Sequence, residues 1–194
     1  MAVLPVSSRH DELSIRIRKL KAVFDFKQSI HGINKNQADK LRSLILLAHA
    51  EFEDYFESLA LKILSESEYI WRTNHHANYY LASLFITSEK INNNDTIETK
   101  ANYLIQKYRE LVEHNNGLTE EYVIHLFKPL GFCSSFFEQD YLAVLTSFGK
   151  RRGAFAHMAA IKTREQLDKQ TEYDRIDRVL EGAKTFEDVL NSKA

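Results

Sequence analysis

One stripe of apolar residues constrains this chain more than any other feature. Leu41, Ile45, Ala48, Phe52, Tyr55, Leu59 and Ile63 step by three or four positions. That period puts them on one side of an α-helix; a strand would alternate them between two faces. Leu44, Leu47, Phe56 and Ala60 widen the stripe, as a central helix with neighbours on two sides requires. The spacing predicts a helix over about 36–65, with Lys40, Glu53, Asp54 and Glu57 on its polar surface. The rest of the chain agrees with a helical fold. It holds only 2 Pro and 6 Gly in 194 residues, too few turn residues for an all-β architecture.

Further helices are expected on both sides of this one. A first amphipathic helix is predicted over about 11–29 from Leu13, Ile17, Leu20 and Phe24, with His31-Gly32 as its stop. A third is expected within Trp71 to Ser88, followed by a loop at Ile91–Asp95 rich in turn residues. A fourth should run from about Thr96 to Glu113 and end at Asn115-Asn116-Gly117. A short fifth is expected between Leu118 and Leu130, closed by Pro129 and Gly131, and a sixth over Phe136 to Phe148. A last helix, about 173–191, carries Ile176, Val179, Ala183, Phe186 and Leu190. The chain length suits a single domain over residues 1–194.

Several classes are excluded or disfavoured. With 26 Lys and Arg against 27 Asp and Glu the net charge is -1, so no bulk charge draws nucleic acid, although a local basic patch remains open. The lone cysteine, Cys133, has no partner for a disulfide or a zinc site and is expected to be a buried or half-buried structural thiol. His75 and His76 are adjacent and share no helix face, so no metal is expected. No Gly-rich phosphate loop is present and no cofactor is expected. Tyr79-Tyr80 and Phe136-Phe137 read as core and interface packing. The N-terminus lacks a signal-peptide pattern, and the longest apolar run, Leu44 to Ala48, falls far short of the ~20 residues that cross a bilayer. A cytoplasmic protein with no membrane partner is expected.

The order of parts carries a resemblance. The central helix holds Leu-Arg-Ser-Leu-Ile-Leu-Leu-Ala-His-Ala-Glu-Phe-Glu-Asp-Tyr-Phe at 41–56, and much later an apolar helix leads into Phe148-Gly149-Lys150-Arg151-Arg152-Gly153-Ala154-Phe155-Ala156-His157. From about residue 36 to 160 this resembles the HEPN superfamily, in particular the RiboL-PSP-HEPN branch. The family motif is an arginine, four to six residues, then a histidine. Arg152 and His157 match it with four residues between, and Arg151 and His157 with five.

Two other places match the bare spacing: Arg109 with His114, and Arg42 with His49. On a continuous helix five positions rotate by ~500° and leave two residues ~140° apart. Arg109 and His114 should therefore face different ways, as basic residues near a helix C-terminus. Arg42 and His49 read as one polar edge of the central helix. Around Arg152 the surroundings differ. Gly149 and Gly153 allow the backbone to bend or another chain to come close, and Ala154 and Ala156 leave the pair clear. Where many catalytic members of the family have a polar residue after the arginine, this chain has Gly153.

The resemblance implies an all-α HEPN-like bundle, with the core over about 36–160, an extra N-terminal helix within 1–35 and a C-terminal helix within 165–194. It implies a metal-independent endoribonuclease acting on tRNA or mRNA, a toxin or antiviral-defence effector, working as a homodimer with the motif at the interface. An antitoxin or sensor protein is the expected regulatory partner. Arg152 would hold the phosphate and His157 would act as general acid or base, since imidazole titrates near neutral pH and a guanidinium is always charged. Lys150 and Arg151 are the expected substrate-binding cations, and Glu51 the candidate acid that orients His157. The alternative is a non-catalytic HEPN-like module that binds a partner protein or a nucleotide.

Overall fold

The apolar stripe lies on the longest helix of the molecule. A computed structural model describes residues 9–29, 32–88, 96–157 and 167–192, without the side chains of 156 and 157. The described residues form seven α-helices: α1 (Arg9–Val23), α2 (Lys35–Asn74), α3 (Tyr79–Thr87), α4 (Ile97–Glu113), α5 (Glu120–Phe127), α6 (Gln139–His157) and α7 (Lys169–Asn191). Among them no strand occurs; Ser29 and Gly32 form one isolated bridge. The fold is all-α, as expected. The loop predicted at Ile91–Asp95 lies outside the described residues.

Helix existence followed the apolar period, whereas helix ends departed from it. The central helix does not stop at Ser65 but continues to Asn74, so Trp71 belongs to α2 and not to α3. The serines at and beyond the expected end satisfy themselves on the helix. Ser65 Oγ donates to Leu61 O and Ser67 Oγ to Ile63 O, each at 2.8 Å. The helix ends where His75 takes a left-handed φ of 54°, a common terminal geometry. In contrast, α1 ends earlier than predicted, at Val23. The segment after it is held by the start of α7: Gln28 Nε2 donates to Asp168 Oδ2 (3.0 Å) and Lys169 Nζ to Phe26 O (2.7 Å).

The chain divides into two compact units. One comprises the chain through Tyr55, Leu118–Glu120 and the chain from Phe137 onward; the other comprises Phe56–Gly117 and Glu121–Phe136. In the first unit Leu41, Leu44, Ile45, Ala48 and Phe52 of α2 are fully buried, each large side chain contributing ~1.5–3 kcal/mol. Leu13 and Ile17 of α1, Leu142, Leu145 and Phe148 of α6, and Ile176, Val179 and Ala183 of α7 complete that core. Buried Glu187 of α7 accepts from the backbone N–H groups of Arg9 and His10 and from Tyr55 Oη. It thereby satisfies the open N-terminus of α1.

In the second unit Tyr80, Leu81 and Leu84 of α3, Leu104 and Tyr108 of α4, and Phe127 and Phe132 are buried. Tyr80 stacks on Phe132, while Tyr79 is exposed. Cys133 departs from expectation: it is exposed. The chain turns Phe132 inward there, which leaves the next side chain in solvent, beside Ser135 Oγ.

Candidate functional site

The motif lies wholly on α6. The helix was expected to end near Phe148, yet Gly149 and Gly153 are both inside it and helical structure continues to His157. Packing explains the first glycine. A Cβ at 149 would lie 3.3 Å from Thr119 Cγ2, so a larger residue there needs the 118–119 segment to give by a few tenths of an ångström. Gly153 has nothing within 4 Å of such an atom, so nothing among the described residues demands glycine there. Because the helix is continuous, positions 152 and 157 lie ~140° apart around its axis. Helical structure runs through both glycines.

Two neighbours fix α6. Tyr141 Oη donates to Val179 O of α7 (3.1 Å), and the ring lies so close to Gly182 that a Cβ would collide with it. On the α2 side Phe148 stacks on His49, with ring centroids 5.9 Å apart, and meets Phe52 edge-on. His49 is only 2% exposed. Glu53 Oε2 comes within 3.0 Å of its Nδ1, an ion-pair distance without the alignment of a hydrogen bond. Buried aromatic contacts on two sides thus hold the helix that carries the motif.

The three consecutive cations have different surroundings. Lys150 is exposed. Arg151 is paired with Glu172 of α7, and its guanidinium lies 5.0 Å from the centre of the Phe155 ring. Arg152 is half-buried and has no ion-pair or hydrogen-bond partner among the described residues. The backbone of His157 is the last residue of α6, and its side chain lies outside the described residues. Glu51, the expected orienting acid, pairs with Arg16 Nε of α1 (3.1 Å), and Arg16 also reaches Asp54.

The other spacing matches are engaged elsewhere. Arg109 pairs with Glu68, and His114 Nδ1 sits 2.7 Å from Glu110 O of its own helix. Arg42 pairs with Asp39 at 2.7 Å, and His49 is buried under Phe148.

Comparison with protein-family models matches RiboL-PSP-HEPN over residues 11–192. The chain belongs to the RiboL-PSP-HEPN family. The HEPN match runs past the 36–160 core suggested by the motifs and takes in α1 and α7. Comparisons with curated proteins and with solved structures found no match.

One residue beside the motif escaped the sequence reading. Glu172 is 1% exposed and accepts from Arg151 on one oxygen and from Arg175 on the other (3.1 Å). A buried carboxylate needs such partners. It ties the motif-bearing end of α6 to α7. The signal was present: Glu172 stands four residues before Ile176, on the apolar stripe of α7, where a charge is out of place.

Proposed function

We propose that this HEPN domain is a metal-independent endoribonuclease whose active site is built on Arg152 and His157. The observation that carries the reading is Arg152: a half-buried guanidinium on the motif helix, without a partner among the described residues, in a chain of the HEPN family. A guanidinium without a carboxylate is available for phosphate oxygens.

In the proposed reaction His157 takes the proton of the RNA 2′-hydroxyl. The 2′-oxygen forms a bond to phosphorus, and the bond from phosphorus to the 5′-oxygen breaks. That oxygen leaves with a proton from a second acid. The products are a 2′,3′-cyclic phosphate and a 5′-hydroxyl, and water can open the ring to a 3′-phosphate. Arg152 holds the non-bridging oxygens as charge builds on them. Lys150 and Arg151 supply further positive charge at the same helix end, Arg151 while held by Glu172.

Positions 152 and 157 do not share a side of α6, and one histidine does not serve both oxygens. A two-fold homodimer meets both needs, because an isologous interface repeats each residue across the axis. Gly153, where a Cβ would meet nothing within 4 Å among the described residues, suits a close approach there. The proposed role is that of a toxin or antiviral-defence effector acting on tRNA or mRNA in the cytoplasm, restrained by an antitoxin or sensor protein. Among the described residues no helix is long and apolar enough to cross a membrane.

Incubation of purified protein with tRNA and total RNA in EDTA tests this. Cleavage to cyclic-phosphate ends is expected, together with its loss in His157→Ala. Intact RNA, or equal cleavage by the variant, refutes it. Gly153 favours a second reading, since it offers no side chain to a substrate: a non-catalytic module that binds a partner protein or nucleotide. In that case Arg152→Ala changes assembly or binding and no nuclease activity is found.

A further inference from the structure

Beside the motif, α6 and α7 enclose a groove of about 520 Å³, a volume that suits a ligand. Its α6 side is low and mostly apolar, formed by Ala143, Val144 and Ser147. Its α7 side carries Thr171, Arg175 and Arg178. Arg178 is exposed and has no ion-pair partner among the described residues. One carboxylate, Asp174, also lines the groove, and Gln170 Nε2 donates to it at 2.6 Å. Glu172 is shared nearby by Arg151 and the groove's Arg175. Arg178 then stands at the groove without an acidic partner among the described residues, and exposed Lys150 follows Ser147 three residues on along α6, an excess of positive charge that suits an anion.

Position along the helix links this groove to the motif. Ala143, Ser147, Lys150, Ala154 and His157 follow one another by four, three, four and three residues. Positions so spaced form one row along a helix. The row begins in the groove, passes the Lys150 position and the small Ala154, and ends at the position of the motif histidine. Ten residues of helix separate Ser147 from His157, a rise of ~15 Å. That distance matches about four nucleotides at a stacked rise of ~3.4 Å.

We propose that the α6–α7 groove binds the phosphodiester backbone of a single-stranded RNA and leads it along this row to the motif. The proposal rests on the ribonuclease reading for its destination and on the groove alone for its binding. Arginine forks on α7 hold the phosphates, the low α6 side leaves room for sugars, and Lys150 meets the strand between groove and motif.

The test is fluorescence anisotropy with a 5′-labelled twelve-nucleotide single-stranded RNA, in EDTA, using full-length His157→Ala so that no cleavage intervenes. Adding Arg178→Glu is expected to raise the Kd about tenfold and to lower the salt slope of binding by about one. Adding Lys184→Glu makes the same charge change at an exposed α7 position outside the groove. It is expected to bind as the parent does. Equal Kd for the Arg178→Glu and Lys184→Glu proteins overturns the groove. So does an Arg178→Glu effect on the sedimentation of protein alone with none on RNA binding, which would make the face a protein interface. Cleavage is read separately on the wild type. An uncleaved RNA whose binding still depends on Arg178 refutes the nuclease reading and leaves the groove standing. Cleavage with a Kd indifferent to Arg178 does the reverse.

Discussion

Two arginine–histidine pairs with the same spacing sit on two continuous helices of this protein. Arg109 and His114 end α4; Arg152 and His157 end α6. Helix geometry treats them alike, separating each pair by ~140°. Their surroundings do not. Arg109 is paired with Glu68, and His114 is drawn back onto a carbonyl of its own helix. Arg152 has no partner among the described residues, and the cation beside it is held away by Glu172. Spacing therefore does not make a site. What separates the pairs is which arginine the fold has already neutralised.

The comparison can be broken most severely at the histidines. His157→Ala is expected to lower the RNA cleavage rate by ~10²–10⁴-fold, the range of a general acid or base, whereas His114→Ala should cleave as the wild type does. Next in size is the anchor of the α6 end. Glu172→Ala leaves two arginines facing each other without their carboxylate and is expected to cost ~3–5 kcal/mol, read as a lowered urea midpoint. Glu68→Ala removes ion pairs to Arg72 and Arg109, whose side chains are 61% and 40% exposed, and should cost only ~0.5–1 kcal/mol.

A smaller effect is expected at Asp168, the N-cap of α7, which accepts from the Thr171 backbone N–H at 2.8 Å. Asp168→Ala should cost ~1 kcal/mol. The N–H of Thr171, with Gln28 beside it, holds the Asp168 carboxyl below its ordinary value of 3.8. A lowered folded value means the contribution is complete above that ordinary value and is lost as pH falls through the folded one. Thermal melts from pH 5 down to pH 2 should show the wild type converging on the variant at the acid end. Smallest is Gly153→Ala. With nothing among the described residues within 4 Å of a Cβ at that position, alanine should stabilise the protomer by ~0.5–1 kcal/mol through helix propensity. Loss of dimer by sedimentation at unchanged or higher melting temperature would show that a second chain uses the gap.

The helices were legible because burial imposes a period, and the stripes of α2 and α7 display it in sequence. Their ends were less so, since they depend on single hydrogen bonds. The hydroxyls of Ser65 and Ser67 donate to their own helix, which runs on past them, and α1 stops early where α7 holds the segment that follows. The motif itself was legible as a pattern, and the family match agrees with the resemblance it suggested. The division of labour among Lys150, Arg151 and Arg152 was not. It is fixed by Glu172, twenty residues beyond Arg152 in the chain, and only packing of α6 on α7 brings them together. The net charge of -1 likewise gives no hint of a groove in which two arginines stand beside one carboxylate.

The most direct measurement compares the two arginines. Initial rates of RNA cleavage in EDTA should be taken for wild type, Arg152→Ala and Arg109→Ala at equal concentration of folded protein. Loss of at least ~10²-fold for Arg152→Ala with an unchanged rate for Arg109→Ala is the expected result. Equal rates for the two variants, or the larger loss at Arg109, would contradict the assignment of the site to α6.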